Sequence, residues 1–172
     1  KNGGRMLSGL DVTDTVRGGD VLLETVFDSD DYKDYYTRID IKDFAVVEAP
    51  RAVKALSILS LAGLYSLVEG DGTAFKYGTA ELETRGPVVN IKALKASGDA
   101  VAVSMVGVYD RKSKQVDVSG NLVPVSQLSK MVGKLPLIGN VLTGLDNSGI
   151  FATQFRVSGI SDDMKTAVNP AS

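Results

Sequence analysis

The chain has 172 residues, of which 44% are hydrophobic, 23% charged and 6% aromatic, and its formal net charge is -2. These values are typical of one folded domain and exclude a disordered or collagen-like chain. The absence of Cys and His excludes disulfides, thiol chemistry, imidazole general bases and the commonest metal ligands, so no metal or cofactor is expected. Lys and Arg form no cluster with interleaved aromatic residues, so nucleic acid is not an expected partner.

The sequence begins KNGGRMLSG, without an initiator Met and without the pattern of a signal peptide. We therefore expect residues 1–172 to be a single domain that is a fragment of a longer chain. Any targeting or anchoring segment would then lie outside it.

The first predicted elements are two short strands, over residues 7–13 and 21–27. The turn Arg17-Gly18-Gly19-Asp20 between them predicts a hairpin. A third strand is predicted over residues 37–47, where apolar and polar residues alternate.

The third strand contains an irregularity near Asp43. Its apolar positions change from odd numbers, Ile39 and Ile41, to even numbers, Phe44 and Val46. A change of parity moves side chains to the other face of a sheet, so a bulge near Asp43 is needed to keep one apolar face.

Six further strands are predicted beyond residue 74, each closed by Gly, Pro, Asp or Ser turns. They cover residues 75–84, 88–96, 100–109, 115–123, 149–159 and 164–168. Short strands at this spacing predict a mainly β (α+β) fold, with a curved antiparallel meander sheet or half-barrel that has one apolar and one wet face. The absence of a βαβ rhythm argues against a nucleotide-binding fold.

Two helical insertions interrupt the meander. Residues 51–69 follow Pro50, and their polar or small members recur every third residue, a spacing that winds around a helix instead of marking one wet face. Such a helix is buried, broken or in contact with lipid. Its charge-free run of 14 residues is shorter than the roughly 20 that a membrane span needs. A second, short helix is predicted over residues 125–135, ended by Pro136.

Catalytic and metal-binding patterns are weak. Ser126 and Lys130 are four residues apart on the second helix, a spacing more typical of a solvated pair than of a nucleophile with its base. The acidic run beginning at Asp28 resembles a calcium loop but has Lys33 and Ile39 where that loop needs Gly and Glu. We therefore expect no enzymatic activity and no metal site.

The remaining signal is an excess of apolar residues. They predict either a thick two-layer core or an apolar groove for acyl chains. A third alternative is a surface that docks on a partner protein or a membrane. The candidate lipid-binding or docking residues are all aliphatic: Leu56, Leu59, Leu64, Leu67, Leu135, Leu137, Ile138, Val141 and Leu142.

Several phrases in fixed order also carry a resemblance to a known family. They are YTRIDIKDFAVVEAP, SILSLAGLYSLVEGDGTAFKYGTAEL, VDVSGNLVPVSQLSKMVGKLPLIGNVLTG and GIFATQFRVSGISDDMKTAVNP. Together they resemble the C-terminal region of AsmA-like proteins of Gram-negative bacteria. The positions that match the family's phrases are Gly70, Gly72, Phe75, Pro124, Leu135, Pro136, Leu137, Ile138, Gly139, Leu142, Thr143, Gly144, Gly159, Asp162, Ala167, Asn169 and Pro170.

The resemblance implies a periplasmic module of a protein anchored in the inner membrane. Long members, the YhdP-like ones, are similar to chorein-type bridge proteins, whose β groove is thought to carry phospholipid between membranes. The implied function is non-enzymatic phospholipid transport in outer-membrane biogenesis. The implied partners are phospholipid acyl chains or a membrane surface, and another envelope protein is a further candidate. The family supplies no catalytic residues.

Overall fold

The computed structural model describes residues 2–9, 13, 15–28, 33–47, 72–99, 101–124, 153–160 and 163–169. These residues contain a short helix, α1 (Gly3–Gly9), and eight strands. The strands are β1 (Val16–Phe27), β2 (Asp34–Val46), β3 (Thr73–Arg85), β4 (Val88–Ser97), β5 (Val101–Asp110), β6 (Gln115–Pro124), β7 (Thr153–Ile160) and β8 (Asp163–Asn169).

All eight strands form one open antiparallel sheet in which spatial order follows chain order. The predicted mainly β meander is therefore confirmed. The predicted helices over residues 51–69 and 125–135 lie outside the described residues. The strand predicted over 149–159 corresponds to β7, and the other strands predicted beyond residue 36 begin and end within a few residues of the observed bounds.

The prediction for the N-terminal hairpin is wrong. Residues 3–9 form α1, and the predicted turn at residues 17–20 lies inside the long strand β1. Gly18 and Gly19 have φ angles of 72° and 84°, which glycine adopts without steric cost. These conformations change the course of an extended strand without reversing the chain.

The parity change near Asp43 is explained by one extra residue in each of three adjacent strands. Asp43 has a φ of 52°, and neither Gly19 on β1 nor Lys76 on β3 has a paired partner at this level. The register is the same before and after this level in both strand pairs. Because all three strands carry the extra residue, Ile41 and Phe44 face the same side although their numbers differ in parity.

A bulge in β4 has a similar effect. Ile91 pairs with Leu82 and Ala93 pairs with Glu81, so Lys92 is an extra residue on this strand. Because of the bulge, the side chains of Ile91 and Leu94 lie on the same face of the sheet. Lys92 lies on the opposite face, where it forms an ion pair with Glu83. Bulges of this kind also bend a strand and increase its twist.

The two ends of the sheet carry different connections. At one end, named the hairpin end, residues 28–33, 86–87, 111–114 and 161–162 join successive strands. At the other, named the insertion end, β2 leads into β3 through residues 47–72 and β6 leads into β7 through residues 125–152. The two segments that carry the predicted helices therefore leave and rejoin the sheet at the same end.

The core lies on one side of the sheet, named the apolar face. Its main cluster consists of Leu7, Ile39, Ile41, Phe44, Phe75 and Val101, and a second cluster surrounds Val118 and Val157. Helix α1 supplies Leu7 and packs against β1, where Gly3 and Gly4 allow close approach because a Cβ on either residue would overlap β1 atoms. The opposite side, named the polar face, carries most of the charged residues, although its residues Ser104 and Val123 are buried.

Candidate functional site

The apolar face is the candidate functional site. The strand registers align its side chains in four rows that cross the sheet from β1 to β7. One central row consists of Leu23, Ile39, Ala80, Leu94, Met105, Gly120 and Phe155. The other central row consists of Thr25, Thr37, Leu82, Ile91, Gly107, Val118 and Val157. The flanking rows run from Val21 to Thr153 and from Phe27 to Gly159, and no residue in the four rows is charged.

Burial on the apolar face differs between its two halves. On β2 and β3, Ile39, Ile41 and Phe75 are buried in the main cluster. On β5 to β7, Val101, Val118 and Val157 are also buried, whereas Met105 and Phe155 are only partly buried. The apolar surface that the later strands leave accessible to a ligand therefore lies around Met105 and Phe155.

The polar face differs from the apolar face in its electrostatics. Glu83 accepts charge-assisted bonds from Lys92 and Arg85, each at 2.6 Å, and these lower the pKa of Glu83 below its usual value. Arg156 binds Asp117 through two nitrogens, at 2.9 and 2.8 Å, and lowers the pKa of Asp117 in the same way. These exposed ion pairs keep the polar face charged and hydrated. Each adds little to the free energy of unfolding.

The rim of the hairpin end carries a polar contact that involves the apolar face. The guanidinium of Arg111, in the turn between β5 and β6, donates to the hydroxyl of Tyr35 on β2 at 3.1 Å. Tyr35 belongs to the flanking row that contains Thr84, whose hydroxyl also hydrogen-bonds Tyr35. The bond from Arg111 lowers the pKa of Tyr35, against the opposing effect of partial burial.

The turn that carries Arg111 is held by several bonds. The carboxylate of Asp110 accepts hydrogen bonds from the backbone N–H groups of Lys112 at 2.8 Å and Ser113 at 3.2 Å, and these lower the pKa of Asp110. The backbone N–H of Arg111 donates to the carbonyl of Pro87 in the next turn at 3.0 Å. These hydrogen bonds hold the backbone of the turn in place at Arg111.

Two aromatic rings pack together at the insertion end of the apolar face. The rings of Phe44 and Phe75 stack with centroids 5.4 Å apart and are both buried. A depression of ≈ 550 Å³ lies beside them, lined also by Lys76 and Asp99, which form an ion pair at 2.6 Å. Arg17 and Asp43 also line this depression, so two cations and two carboxylates surround it.

The residues proposed from the sequence as lipid-binding or docking residues lie outside the described residues. This holds for Leu56, Leu59, Leu64 and Leu67, for Leu135, Leu137, Ile138, Val141 and Leu142, and for the Ser126 and Lys130 pair. In the acidic run, Asp34 accepts a hydrogen bond from the backbone N–H of Gly86 at 3.0 Å and so fixes the hairpin end.

The described residues contain neither a metal-binding group nor a membrane-spanning helix. No group of three or more Asp, Glu, His or Cys side chains is placed there to hold a metal ion. No helix in that part of the chain has the length and apolar character to cross a bilayer.

Sequence reasoning missed the strand residues and Arg111 as site residues. Alternation within each strand predicted an apolar face, but the alignment of Leu94, Met105 and Phe155 in one row depends on registers that alternation does not specify. Arg111 looked like an ordinary turn residue, and its contact with Tyr35 joins positions 76 residues apart in the chain. No local signal identifies such a contact.

Comparison of the chain with protein families, with curated proteins and with solved structures gives no match.

Proposed function

We propose that this chain is a non-enzymatic module that binds acyl chains on the apolar face of its sheet. In this proposal it belongs to an AsmA-like protein anchored in the inner membrane of a Gram-negative bacterium. It lies in the periplasm and takes part in phospholipid transport or outer-membrane biogenesis.

One observation carries the proposal: four uncharged rows of side chains cross seven strands of an open sheet. A sheet needs one apolar face to fold, so an apolar face alone is not evidence of a ligand. The support comes from the partly buried side chains of Met105 and Phe155, which leave apolar surface accessible, since ligand sites for apolar molecules are mostly apolar with few polar groups. The resemblance of the sequence phrases to AsmA-like proteins supports the lipid and the compartment.

A second candidate function is docking on a partner protein or a membrane surface without handling lipid. It is favoured by exposed apolar residues at the edge strand β1, on the otherwise polar face. Leu22 and Val26 are 58% and 67% exposed, and Tyr36, which pairs with Val26, is also exposed. A strand that is apolar on both faces is suited to pairing with a further strand.

Native mass spectrometry of the gently purified chain, beside a lipid extract of the same sample, tests the first function. We expect bound phospholipid, and saturable binding of a fluorescently labelled phospholipid at micromolar protein. If neither is found, the acyl-chain function is refuted. Liposome flotation and a pull-down from envelope extract then test the docking function, which predicts binding to a partner or bilayer without extraction of lipid.

Two substitutions on the same strand separate the faces. Met105→Gln places an amide in a central row of the apolar face, whereas Val108→Gln places the same amide on the polar face, where Val108 is already exposed. We expect Met105→Gln to weaken binding of the labelled phospholipid about fivefold or more, because the amide loses hydration when an acyl chain covers it. Val108→Gln should leave binding unchanged. Equal effects of the two variants would show that lipid does not occupy the apolar face.

A further inference from the structure

We propose that Arg111, held against Tyr35 at the hairpin end, binds the anionic head of an amphiphile whose alkyl chain lies on the apolar face. This inference rests on the proposed function, and it adds the chemical class of the ligand and the end at which its head is bound. The ligand class is an anionic lipid.

The position of Arg111 is the first argument. The four rows of the apolar face contain no charged residue, and Arg111 brings a guanidinium to the edge of the row that contains Tyr35, Thr84 and Val89. An alkyl chain on the face would find no cation along the rows and would meet one at this rim. The uncharged rows would therefore contact the tail of an anionic lipid, and Arg111 would contact its head.

The second argument is the reach of the side chain. Three inter-strand gaps separate β2 from β5, which is about 14 Å in a flat sheet. The side chains of Arg111 and Tyr35 meet although two strands, β3 and β4, lie between β2 and β5. The pair therefore links β2 with the turn after β5 at the hairpin end.

The third argument is that Arg111 has different hydrogen-bond partners from the arginines of the polar face. Arg38, Arg85 and Arg156 on the polar face bind Asp40, Glu83 and Asp117. The polar contacts that Arg111 makes with the described residues are different in kind, since its side chain donates to a neutral hydroxyl and its backbone donates to a carbonyl. A guanidinium offers five N–H donors in a planar fork that matches a carboxylate or a phosphate.

The test compares two probes with the same tail. Dansylamino-undecanoate carries a carboxylate, and its methyl ester carries no charge. Fluorescence titration of the whole 172-residue chain at pH 8, below the aggregation concentration of the probes, should give tighter binding of the acid. We expect Arg111→Gln to weaken binding of the acid about tenfold and to change binding of the ester less than threefold.

Lys112→Gln is the matched control, because it removes one positive charge from the same turn without touching Tyr35. It should leave the preference for the acid nearly intact, whereas Tyr35→Phe should reduce it while the ester still binds. Far-ultraviolet circular dichroism establishes that each variant is folded. The head-group proposal is overturned if the wild-type chain binds the acid and the ester equally, or if Lys112→Gln weakens acid binding as much as Arg111→Gln does. In either case, binding of the ester would still support the acyl-chain function. If neither probe binds, both proposals fail.

Discussion

Replacing Ile39 with Ala tests whether the apolar face is packed as the registers indicate. Ile39 is 6% exposed and lies between Leu23 and Ala80 in a central row. The substitution removes three buried carbon atoms, which at about 0.8 kcal/mol each corresponds to about 2.4 kcal/mol of transfer free energy. The cavity left behind adds to this, so we expect a loss of about 3 kcal/mol in the free energy of unfolding.

Leu22→Ala is the matched control because it removes the same number of carbon atoms from a neighbouring strand on the polar face. Leu22 is 58% exposed, so we expect a loss of at most about 1 kcal/mol. Urea denaturation followed by circular dichroism measures both losses, provided that the slopes of the transitions agree. Equal losses for the two variants, or a loss below about 1 kcal/mol for Ile39→Ala, would contradict the assignment of the faces.

Three further predictions concern other parts of the structure. Gly4→Val should destabilise the chain by about 1–3 kcal/mol because its side chain would overlap the Val16 carbonyl region of β1, whereas Gly9→Ala, which meets open space, should be neutral or slightly stabilising in the same denaturation assay. Ser104→Ala should leave the melting temperature unchanged or raise it, because the buried Ser104 hydroxyl has no hydrogen-bond partner in the described part of the chain. Arg156→Gln should raise the pKa of Asp117 in a carboxyl NMR titration. Since that pKa is lowered in the folded state, the Asp117 pair stabilises the fold above the ordinary Asp pKa of about 4, and the stabilisation is lost as pH falls through the lowered value.

Most strands could be predicted because alternation and turn residues occur together. The stretch from Gln115 to Pro124 alternates and is preceded by a polar turn, and the structure places β6 there. At Gly18 and Gly19, however, the turn-forming residues led to the wrong prediction of a hairpin. A glycine pair with positive φ is equally consistent with a hairpin turn and with an irregularity inside a strand. The outcome depends on Asp43 in the paired strand, which carries the compensating extra residue.

The candidate site was predictable only in its general character. Excess apolar residues indicated an apolar surface, and the strands supply such a surface through residues like Leu94 and Phe155. The place of Leu94 on this face depends on the bulge at Lys92. Without the bulge, Ile91 and Leu94 would face opposite sides of the sheet. A one-residue shift changes every side chain beyond it, and composition is not sensitive to such a shift. The Arg111 contact with Tyr35 depends on the order of four strands and is further still from what the sequence specifies.

The size of the apolar face sets how an anionic lipid would occupy it under the proposals made above. Strand β5 has ten residues and is therefore about 34 Å long, roughly twice the ~15 Å of one leaflet of a bilayer's hydrocarbon core. One acyl chain with its head at Arg111 would reach only part of the way to the insertion end. The accessible surface around Met105 and Phe155 spans β5 to β7, about 10 Å from the first to the last of these strands, which leaves room for a second chain beside the first. A single Arg111 per chain then predicts one tight site for an anionic amphiphile and further weaker sites that do not distinguish acid from ester. Titration of the dansyl acid with native mass spectrometry should show this difference in stoichiometry, and several equally tight anion sites would contradict the role given to Arg111.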